Sequence, residues 1–479
     1  MTVIVSNIIG VLRAAATGLM FSVVSAGAAA DTRDAQIVIE RVNVLPMTSS
    51  GAELRDVTVV IRDGRIESIE PSPDRRRHTG KLIDGGGRWL LPALADMHVH
   101  LENHGLLRIW LNDPTIPADA VDLADLLAPY VANGVLQLAN MSATSESISQ
   151  RLDVESGRVL GPHMALGAMI DGAPPEWSPG MTRVAATAAD GRRAVREAKA
   201  EGYDFIKIYN RLDLPTFDAV IDEARQQGLN VAGHLIARGQ GVTERLLRPG
   251  FGMVAHLQEY SHQSAELDDA QIRRFAQLTK QNGTWVVTTL SADQKIAEVL
   301  RDSRALSKWQ QHQYMHPLMY RYWTDRNALL ADRSPARVAR FDRIVADDVR
   351  LLRAFIDADV PIVAGTDFPL PLQAPGFALH DELQAMVAAG MSPEQVLLSA
   401  TRLPAAWLGV VHDRGTVEVG KRADLLLLAA DPRADITNTR RIVAVFVSGR
   451  YLPRSELKRM LDTTAQRHRR AEAMQSAAR

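Results

Sequence analysis

The sequence predicts an α/β chain built on a (β/α)8 barrel, with a small β-sandwich assembled from the segments before and after it. Three observations carry this expectation. From about residue 93 to 404, short apolar β-rich runs alternate with helical patterns, as in a parallel sheet with crossover helices. Eight such runs occur, at 94–100, 134–141, 163–170, 205–209, 230–235, 253–257, 284–290 and 361–366, which is the strand number of a closed barrel. β-branched runs with turn signals lie on both flanks, and neither flank has enough strands to form a layer alone.

Taken in order, residues 1–30 read as a signal peptide. The apolar run Ala14–Val24 follows Arg13 and leads to Ala26-Gly27-Ala28 and Ala28-Ala29-Ala30, both of the small-x-small cleavage pattern. Export, with the periplasm as destination, is the expectation; a cytoplasmic chain follows if this segment is not a signal. The run is too short for a comfortable span, and no later stretch reaches about 18 consecutive apolar residues. No membrane association is therefore expected after cleavage.

Residues 31–92 supply the first part of the sandwich: Ile37–Ile39, Val57–Ile61, the Asp63-Gly64 hairpin turn, Ile66–Ile69, and a break at Gly85-Gly86-Gly87. Residues 93–404 form the barrel. Within it, 291–360 carries no strand signal but a helical pattern with Trp309, Tyr314, Tyr320, Tyr322 and Trp323. An insertion between barrel strands 7 and 8 falls on the face where barrel active sites form. It is expected to cap the substrate pocket, with a helix packed outside the barrel as the alternative. Residues 405–454 complete the sandwich with Ala423–Leu428, Ile442–Val447 and a turn at Ser448-Gly449-Arg450. The Arg- and Ala-rich tail, 455–479, reads as a frayed surface helix.

Composition narrows the chemistry. A net charge of −1 on 479 residues provides no field for nucleic acid or an anionic membrane. The absence of cysteine excludes disulfides, thiolate metal sites and cysteine nucleophiles, so a metal must sit on imidazole or carboxylate. Lysine is scarce, with 8 against 47 Arg, which draws attention to any lysine in an apolar setting.

The chemistry-bearing residues fall at strand ends. Asp96-Met97-His98-Val99-His100 closes the first strand. Alternate residues share a face, so His98 and His100 point the same way with Cα atoms about 6.6 Å apart and can clamp one cation. Lys207 sits in Phe205-Ile206-Lys207-Ile208-Tyr209, a poor place for an ammonium unless it is paired or modified. Either its head pairs with a carboxylate, or the neutral amine adds CO2 to give an anionic carbamate able to bridge metals. His234 and His256 each end an apolar run, and each reads either as a satisfied core histidine or as a ligand. Asp367 follows Ile362–Thr366, where a carboxylate reaches the barrel mouth. His98, His100, Lys207, His234, His256 and Asp367 thus arise from strands 1, 1, 4, 5, 6 and 8. Accident does not account for all six.

The motifs resemble those of the amidohydrolase superfamily, in its imidazolonepropionase-like and Xaa-Pro-dipeptidase-like branch. The resemblance rests on Leu91-Pro92-Ala93-Leu94-Ala95-Asp96-Met97-His98-Val99-His100, Asp204–Tyr209, Val231–His234 and Gly365-Thr366-Asp367. It continues through His380-Asp381-Glu382-Leu383, Ala400-Thr401-Arg402 and Gly415–Leu425, and spans about Ala35 to Tyr451. Ala93 stands where the family usually has Gly. Gly233 before His234 and Leu257–Tyr260 after His256 also depart from the usual pattern, which leaves the substrate open.

The resemblance implies two divalent ions, Zn²⁺ by default. His98, His100 and Asp367 would hold one, and His234 and His256 the other, with CO2-carboxylated Lys207 between them. It further implies that a metal-bridging hydroxide attacks the carbonyl of an amide or dipeptide-like bond, with Asp367 as base and then acid. A lactonase or esterase with the same centre is the alternative. A mononuclear deaminase would need a Glu three residues after His234, where Ala237 stands, and a non-catalytic binding relative would be expected to lack some of the six ligands. The partner is a small molecule, and a homo-oligomer fits equally well. Substrate contacts are expected from Tyr209, which shares the Lys207 face, and from Tyr260, chosen among Glu259, Tyr260 and His262 after His256. His380 is expected as a third substrate contact, placed either beside Asp367 or at the start of the following helix. The aromatic insertion suggests a partly apolar substrate such as an N-acyl amino acid or dipeptide.

Overall fold

The computed structural model describes residues 36–72, 80–178, 180–237, 241–264 and 267–477; the segment read as a signal peptide lies outside them. Eight strands form the barrel in chain order: Leu94–Val99, Val135–Asn140, His163–Asp171, Phe205–Ile208, Asn230–Gly233, Met253–Ala255, Trp285–Val287 and Ile362–Val363. Each pairs in parallel with the next. The last returns to the first where the Met97 N–H donates to Ala364 O (2.9 Å), the Asp367 N–H to His98 O (2.8 Å) and the His100 N–H to Phe368 O (2.7 Å). All eight expected strands are present. Strand 7 stops at Val287 rather than 290, because Thr289 takes a left-handed φ of 51° and a helix begins at Leu290.

Every strand sends a side chain into one interior cluster: Met97, Ala139, Ala165, Phe205, Ala232, Met253, Val287 and Val363. Alanines and valines recur there because an eight-stranded barrel has an interior just wide enough for side chains to fill. Trp407 closes the N-terminal end, edge-on to Phe205 at 5.5 Å, with its carbonyl accepting from Asn230 Nδ2 (2.6 Å). The plug leaves the opposite, C-terminal end as the open one.

The two flanks build a single eight-stranded sheet. Gln36–Val44, Leu54–Arg62, Arg65–Pro71, Lys81–Asp84 and Trp89–Pro92 come from one side, and Leu425–Leu428, Ile442–Val447 and Arg450–Pro453 from the other. Trp89–Pro92 and Leu425–Leu428 pair antiparallel and join the halves. The sheet rolls until the Ala423 N–H donates to Gly64 O (2.8 Å) and the Ile66 N–H to Lys421 O (2.9 Å). Ile37, Val59, Ile61 and Leu90 therefore share a core with Leu425, Leu427 and Phe446. Asp63-Gly64 and Ser448-Gly449 have positive φ at both residues, as the right-handed strand twist demands of a two-residue hairpin turn.

The insertion is helical throughout, ending in the long helix Pro335–Asp357. The tail departs from expectation. Arg454–Ala477 is a docked helix, not a frayed one: Leu457, Thr464 and Ala465 are buried, and Leu461 packs on the same core. Residues 457, 461 and 465 recur at intervals of four and so lie on one face. Arg467 pairs with Asp122 and Asp125 at 3.1 Å, and His468 Nδ1 bonds Gln313 O at 3.0 Å. Among the described residues no helix is long and apolar enough to cross a membrane.

Candidate metal centre

Strand 1 reaches the site through a bulge. Its register against strand 2 shifts between Asp96 and Val99, and the buried Asp96 carboxylate pins it to strand 8. Asp96 Oδ1 accepts from the N–H groups of His98 (3.3 Å) and Thr366 (3.0 Å), and Oδ2 accepts from the Thr366 hydroxyl (2.8 Å). Strand 8 can come this close because position 365 is glycine: a Cβ there would lie 2.5 Å from Val287 Cγ2 and 2.9 Å from His98 Cβ. Gly233 is fixed in the same way. With φ at 150°, its Cβ would fall 2.2 Å from Ile208 O, so this departure from the family pattern has a backbone cause.

Two site residues are re-aimed by the backbone. His256 (φ 75°) and Asp367 (φ 57°) both take left-handed conformations. In strand 6 this breaks the alternation, because Ala255 already faces the barrel interior and His256 nevertheless turns into the site. Non-glycine residues in this region cost about 1–3 kcal/mol each and gather at functional sites.

The side chains converge. Asp367 Oδ1 lies 3.2 Å from both His98 Nε2 and His100 Nε2. Ring centroids are 4.4 Å apart for His98–His256, 5.3 Å for His98–His100 and 5.2 Å for His234–His256. Donor atoms of His98, His256 and Asp367 all lie within 4.8 Å of one another. Lys207 is fully buried, and among the described residues its Nζ has no hydrogen-bond partner and neither ring nitrogen of His98 has an aligned one.

The other three imidazoles are oriented from behind. His100 Nδ1 bonds Ser142 Oγ (2.7 Å), His234 Nδ1 bonds Asn210 Oδ1 (2.7 Å) and His256 Nδ1 bonds Thr289 Oγ1 (2.8 Å). An amide oxygen can only accept, so the His234 proton sits on Nδ1 and leaves Nε2 with its lone pair exposed, as metal ligation needs. Glu382 of the His-Asp-Glu-Leu motif holds the turn that carries Thr289. Its Oε1 accepts from the Thr288 hydroxyl (2.5 Å) and Leu290 N–H (2.9 Å), and its Oε2 from Ser291 N–H (2.7 Å).

Burial sets the protonation states. It pushes His98 and His234 well below the ordinary imidazole value and His256 down to about 4, with neighbouring cationic groups adding to the effect for His98 and His234. His98, His234 and His256 are therefore neutral at pH 7. Burial works against the Asp367 carboxylate too, but the surrounding imidazoles outweigh it and hold the group well below the usual carboxylate range. Burial pulls Lys207 down to about 8, opposed by Asp367 and Glu259. Three neutral imidazoles, a carboxylate and a buried, unpartnered amine at the barrel mouth suit a divalent cation of borderline hardness.

The six expected ligands thus lie together at the C-terminal end of the barrel, while the expected substrate contacts separate. Tyr209 is at the site, its ring tilted against His234 with centroids 4.4 Å apart. It belongs to an apolar group with Leu106, Met169, Trp110 and Trp177, and Trp110 approaches His100 to 6.3 Å. Tyr260 is a correction. Its hydroxyl bonds Thr279 Oγ1 (2.8 Å) and its ring packs on Phe355 (4.9 Å), fully buried in the core, because the helical turn Gln258–Ser261 points it away from the mouth. His380 meets one of its two expectations: it lies in the first turn of the helix Phe377–Ala388, not beside Asp367. With Nδ1 bonding Thr439 Oγ1 (2.9 Å) and Nε2 donating to Asn133 O (3.1 Å), it braces a helix junction and is no substrate contact.

The turn that buries Tyr260 presents its neighbours instead. Glu259 Oε2 accepts from Leu235 N–H (2.9 Å), while Oε1 lies 3.6 Å from His262 Nδ1 and 3.8 Å from His234 Nδ1. Both residues line a cavity of about 620 Å³ beside His234, together with Asn210 and with Arg340, Arg343 and Ile344 of the helix 335–357. The insertion's aromatics do not line it. Tyr314 stacks on Phe377 (5.0 Å), Tyr320 on His312 (4.8 Å), and Trp323 Nε1 donates to Pro369 O (2.7 Å). Glu259 and His262 were among the three candidates after His256, and the helical turn presents these two in place of Tyr260.

Fold and site together define a (β/α)8-barrel protein with a histidine-rich, carboxylate-bearing centre at its strand ends. The chain belongs to the amidohydrolase family, whose sequence profile it matches over residues 89–452. An imidazolonepropionase of Thermoplasma volcanium is 37% identical over 86 residues, a segment covering 18% of this chain and 20% of that protein. The match thus spans a fifth of that curated relative. Among solved structures, a Xaa-Pro dipeptidase with methionine in its active site aligns with a TM-score of 0.67 at 21% identity, covering 87% of this chain and 100% of that one. The bottromycin amidohydrolase aligns with a TM-score of 0.68 at 21% identity over 91% of each chain. At these identities the two structures share the fold.

Proposed function

We propose that this chain is a metal-dependent hydrolase that cleaves a carbon–nitrogen bond, of amide or dipeptide type, in a small substrate. The observation that carries the reading is Lys207: a fully buried amine with no partner, facing imidazoles and a carboxylate. A permanent ammonium there is unfavourable. The neutral amine instead adds CO2: its lone pair forms the N–C bond, one N–H proton leaves, and a carbamate results. An anion with two oxygen donors then replaces an unpartnered cation among neutral imidazoles.

His98, His100 and Asp367 would hold one divalent ion and His234 and His256 a second, with carbamylated Lys207 between them and Zn²⁺ the best match to the donors. Such a pair, when bound, acidifies a water and polarises a carbonyl. The remaining work falls to the chain. Asp367, ionised and 3.2 Å from two imidazoles, takes the proton from the attacking water and passes it to the leaving nitrogen, since an amide anion leaves poorly. Trp110, Trp177 and Tyr209 offer an apolar wall to one side of the substrate, and the helix 335–357 closes the other.

Zinc analysis and a substrate screen test this. Protein loaded with Zn²⁺ in bicarbonate buffer is expected to retain two ions per chain and to hydrolyse members of a dipeptide and N-acyl amino acid library. Protein that binds no metal overturns the proposal, and cleavage of lactones or esters alone transfers the site to ester chemistry.

A further inference from the structure

The loop after barrel strand 3 is locked to the loop after strand 4 by one buried carboxylate. Asp171 Oδ1 accepts from the N–H groups of Gly172 (2.9 Å) and Arg211 (2.6 Å), and its Oδ2 from the Glu176 N–H (2.9 Å). The loops meet so closely that a Cβ at Gly172 would lie 1.9 Å from Arg211 O. This clamp sets the Glu176 side chain against Asn210, whose Nδ2 donates to Glu176 Oε2 (2.6 Å). The other end of the same amide, Oδ1, accepts from His234 Nδ1 (2.7 Å). Three side chains thus connect the protein surface to a candidate ligand: an exposed carboxylate, a half-buried amide and a buried imidazole.

Each link has a direction. A carboxylate offers only acceptors, so the NH2 end of Asn210 must face Glu176 and its oxygen must face His234. His234 is neutral, so one ring nitrogen alone carries a proton, and the amide oxygen draws it to Nδ1. Glu259 Oε1, 3.8 Å from the same nitrogen, is beyond hydrogen-bond reach and does not compete. We infer that Glu176 is a positioning residue for the metal centre: through the orientation of the Asn210 amide it fixes the His234 tautomer that leaves Nε2 free to bind a cation. The inference rests on the hydrolase reading above, in which His234 holds the second ion, and adds to it a surface residue that no strand-end motif contains. Reversing the amide would present its NH2 to Nδ1, move the proton to Nε2 and close the ligand. Trp177 follows Glu176, so the loop that supplies the apolar wall also sets a ligand of the second ion.

The test is Glu176→Gln, alone and combined with Asn210→Asp. Glutamine keeps the shape but donates as well as accepts, so both orientations of the Asn210 amide become possible. NMR of metal-free protein carrying nitrogen-15-labelled histidine reads which ring nitrogen holds the proton. Competition with a chelator measures the second zinc. Wild type is expected to show the His234 proton on Nδ1 alone. E176Q is expected to show both tautomers and to weaken the second zinc by about 2- to 10-fold, as the competent fraction falls, with the first zinc unchanged. In E176Q/N210D a carboxylate faces Nδ1 whatever stands at 176, so a single tautomer and the wild-type affinity should return. Glu176 is exposed, so its variant should fold. A lone Nδ1 tautomer in E176Q overturns the inference, as does a loss of zinc that N210D does not restore. The spectrum needs neither metal nor substrate. Wild type that binds no zinc therefore removes the hydrolase reading, while the tautomer in E176Q still decides the role of Glu176.

Discussion

Replacing Lys207 with methionine separates two roles that a simple loss of activity would confuse. Methionine keeps the length of the buried stem and removes the charge. In the metal-free protein without bicarbonate, burial lowers the ammonium from 10.5 to about 8. At about 1.36 kcal/mol per unit, the folded state then carries a penalty of about 3 kcal/mol when Lys207 is charged. The folded value lies below the unfolded one, so the penalty is complete below pH 8 and fades between pH 8 and 10.5. Metal-free Lys207→Met is therefore expected to be more stable than metal-free wild type at pH 7, by about 3–4 °C in Tm for a chain of this size. The difference should close toward pH 10. Zinc-loaded, the same variant should hold at most one ion per chain and lose its activity. Differential scanning fluorimetry after chelation, paired with metal analysis, reads both. A metal-free variant less stable than wild type, or one retaining two zinc ions, would refute the reasoning: Lys207 would then be a paired structural lysine.

Other outcomes follow from the same geometry. Asp367→Asn should lower kcat by about 10²–10⁴-fold on amide substrates, and least on those with a good leaving group, measured by steady-state kinetics across a leaving-group series. Thr289→Val removes the partner of His256 Nδ1 and should weaken zinc about 10- to 100-fold in competition with a chelator, with the fold intact by circular dichroism. His316 caps the helix Pro317–Arg321: its Nδ1 accepts from Leu318 N–H and its Nε2 donates to Ala120 O, an arrangement that requires the neutral ring. Burial depresses it to about 4, below its unfolded value, so its contribution is complete above pH 6.5 and is lost as pH falls toward 4. The Tm advantage of wild type over His316→Asn should shrink steadily from pH 7 to pH 5.

The barrel was legible because eight apolar runs each needed burial on both faces, and the metal centre because its residues close those runs. What escaped the sequence is the direction of side chains beyond the strands. Tyr260 and Glu259 are neighbours on one helical turn, and which of them meets the cavity depends on a rotation that a left-handed His256 sets. His380 reads as a site residue by sequence proximity to Asp367, yet the helix Phe377–Ala388 turns it toward Thr439 and Asn133. The insertion's aromatics suggested the pocket lining, but large apolar rings first satisfy their own packing. The residues left to face the cavity are the arginines that packing excludes. The tail's docking is masked in the sequence because its many charges hide three apolar residues, Leu457, Leu461 and Ala465, at intervals of four.

The joining of Trp89–Pro92 to Leu425–Leu428 has a consequence for the order of assembly. Strand 1 of the barrel begins two residues beyond Pro92, so the segment that carries His98 and His100 leaves the rolled sheet directly. During synthesis Trp89–Pro92 must wait, with one edge unpaired, for a partner made only after the whole barrel. Such distant pairing slows folding and exposes strand edges in the interim. A chain truncated before Leu425 would keep every candidate metal ligand yet lack the strand that seats the first two, which makes the last fifty or so residues part of how the centre is built.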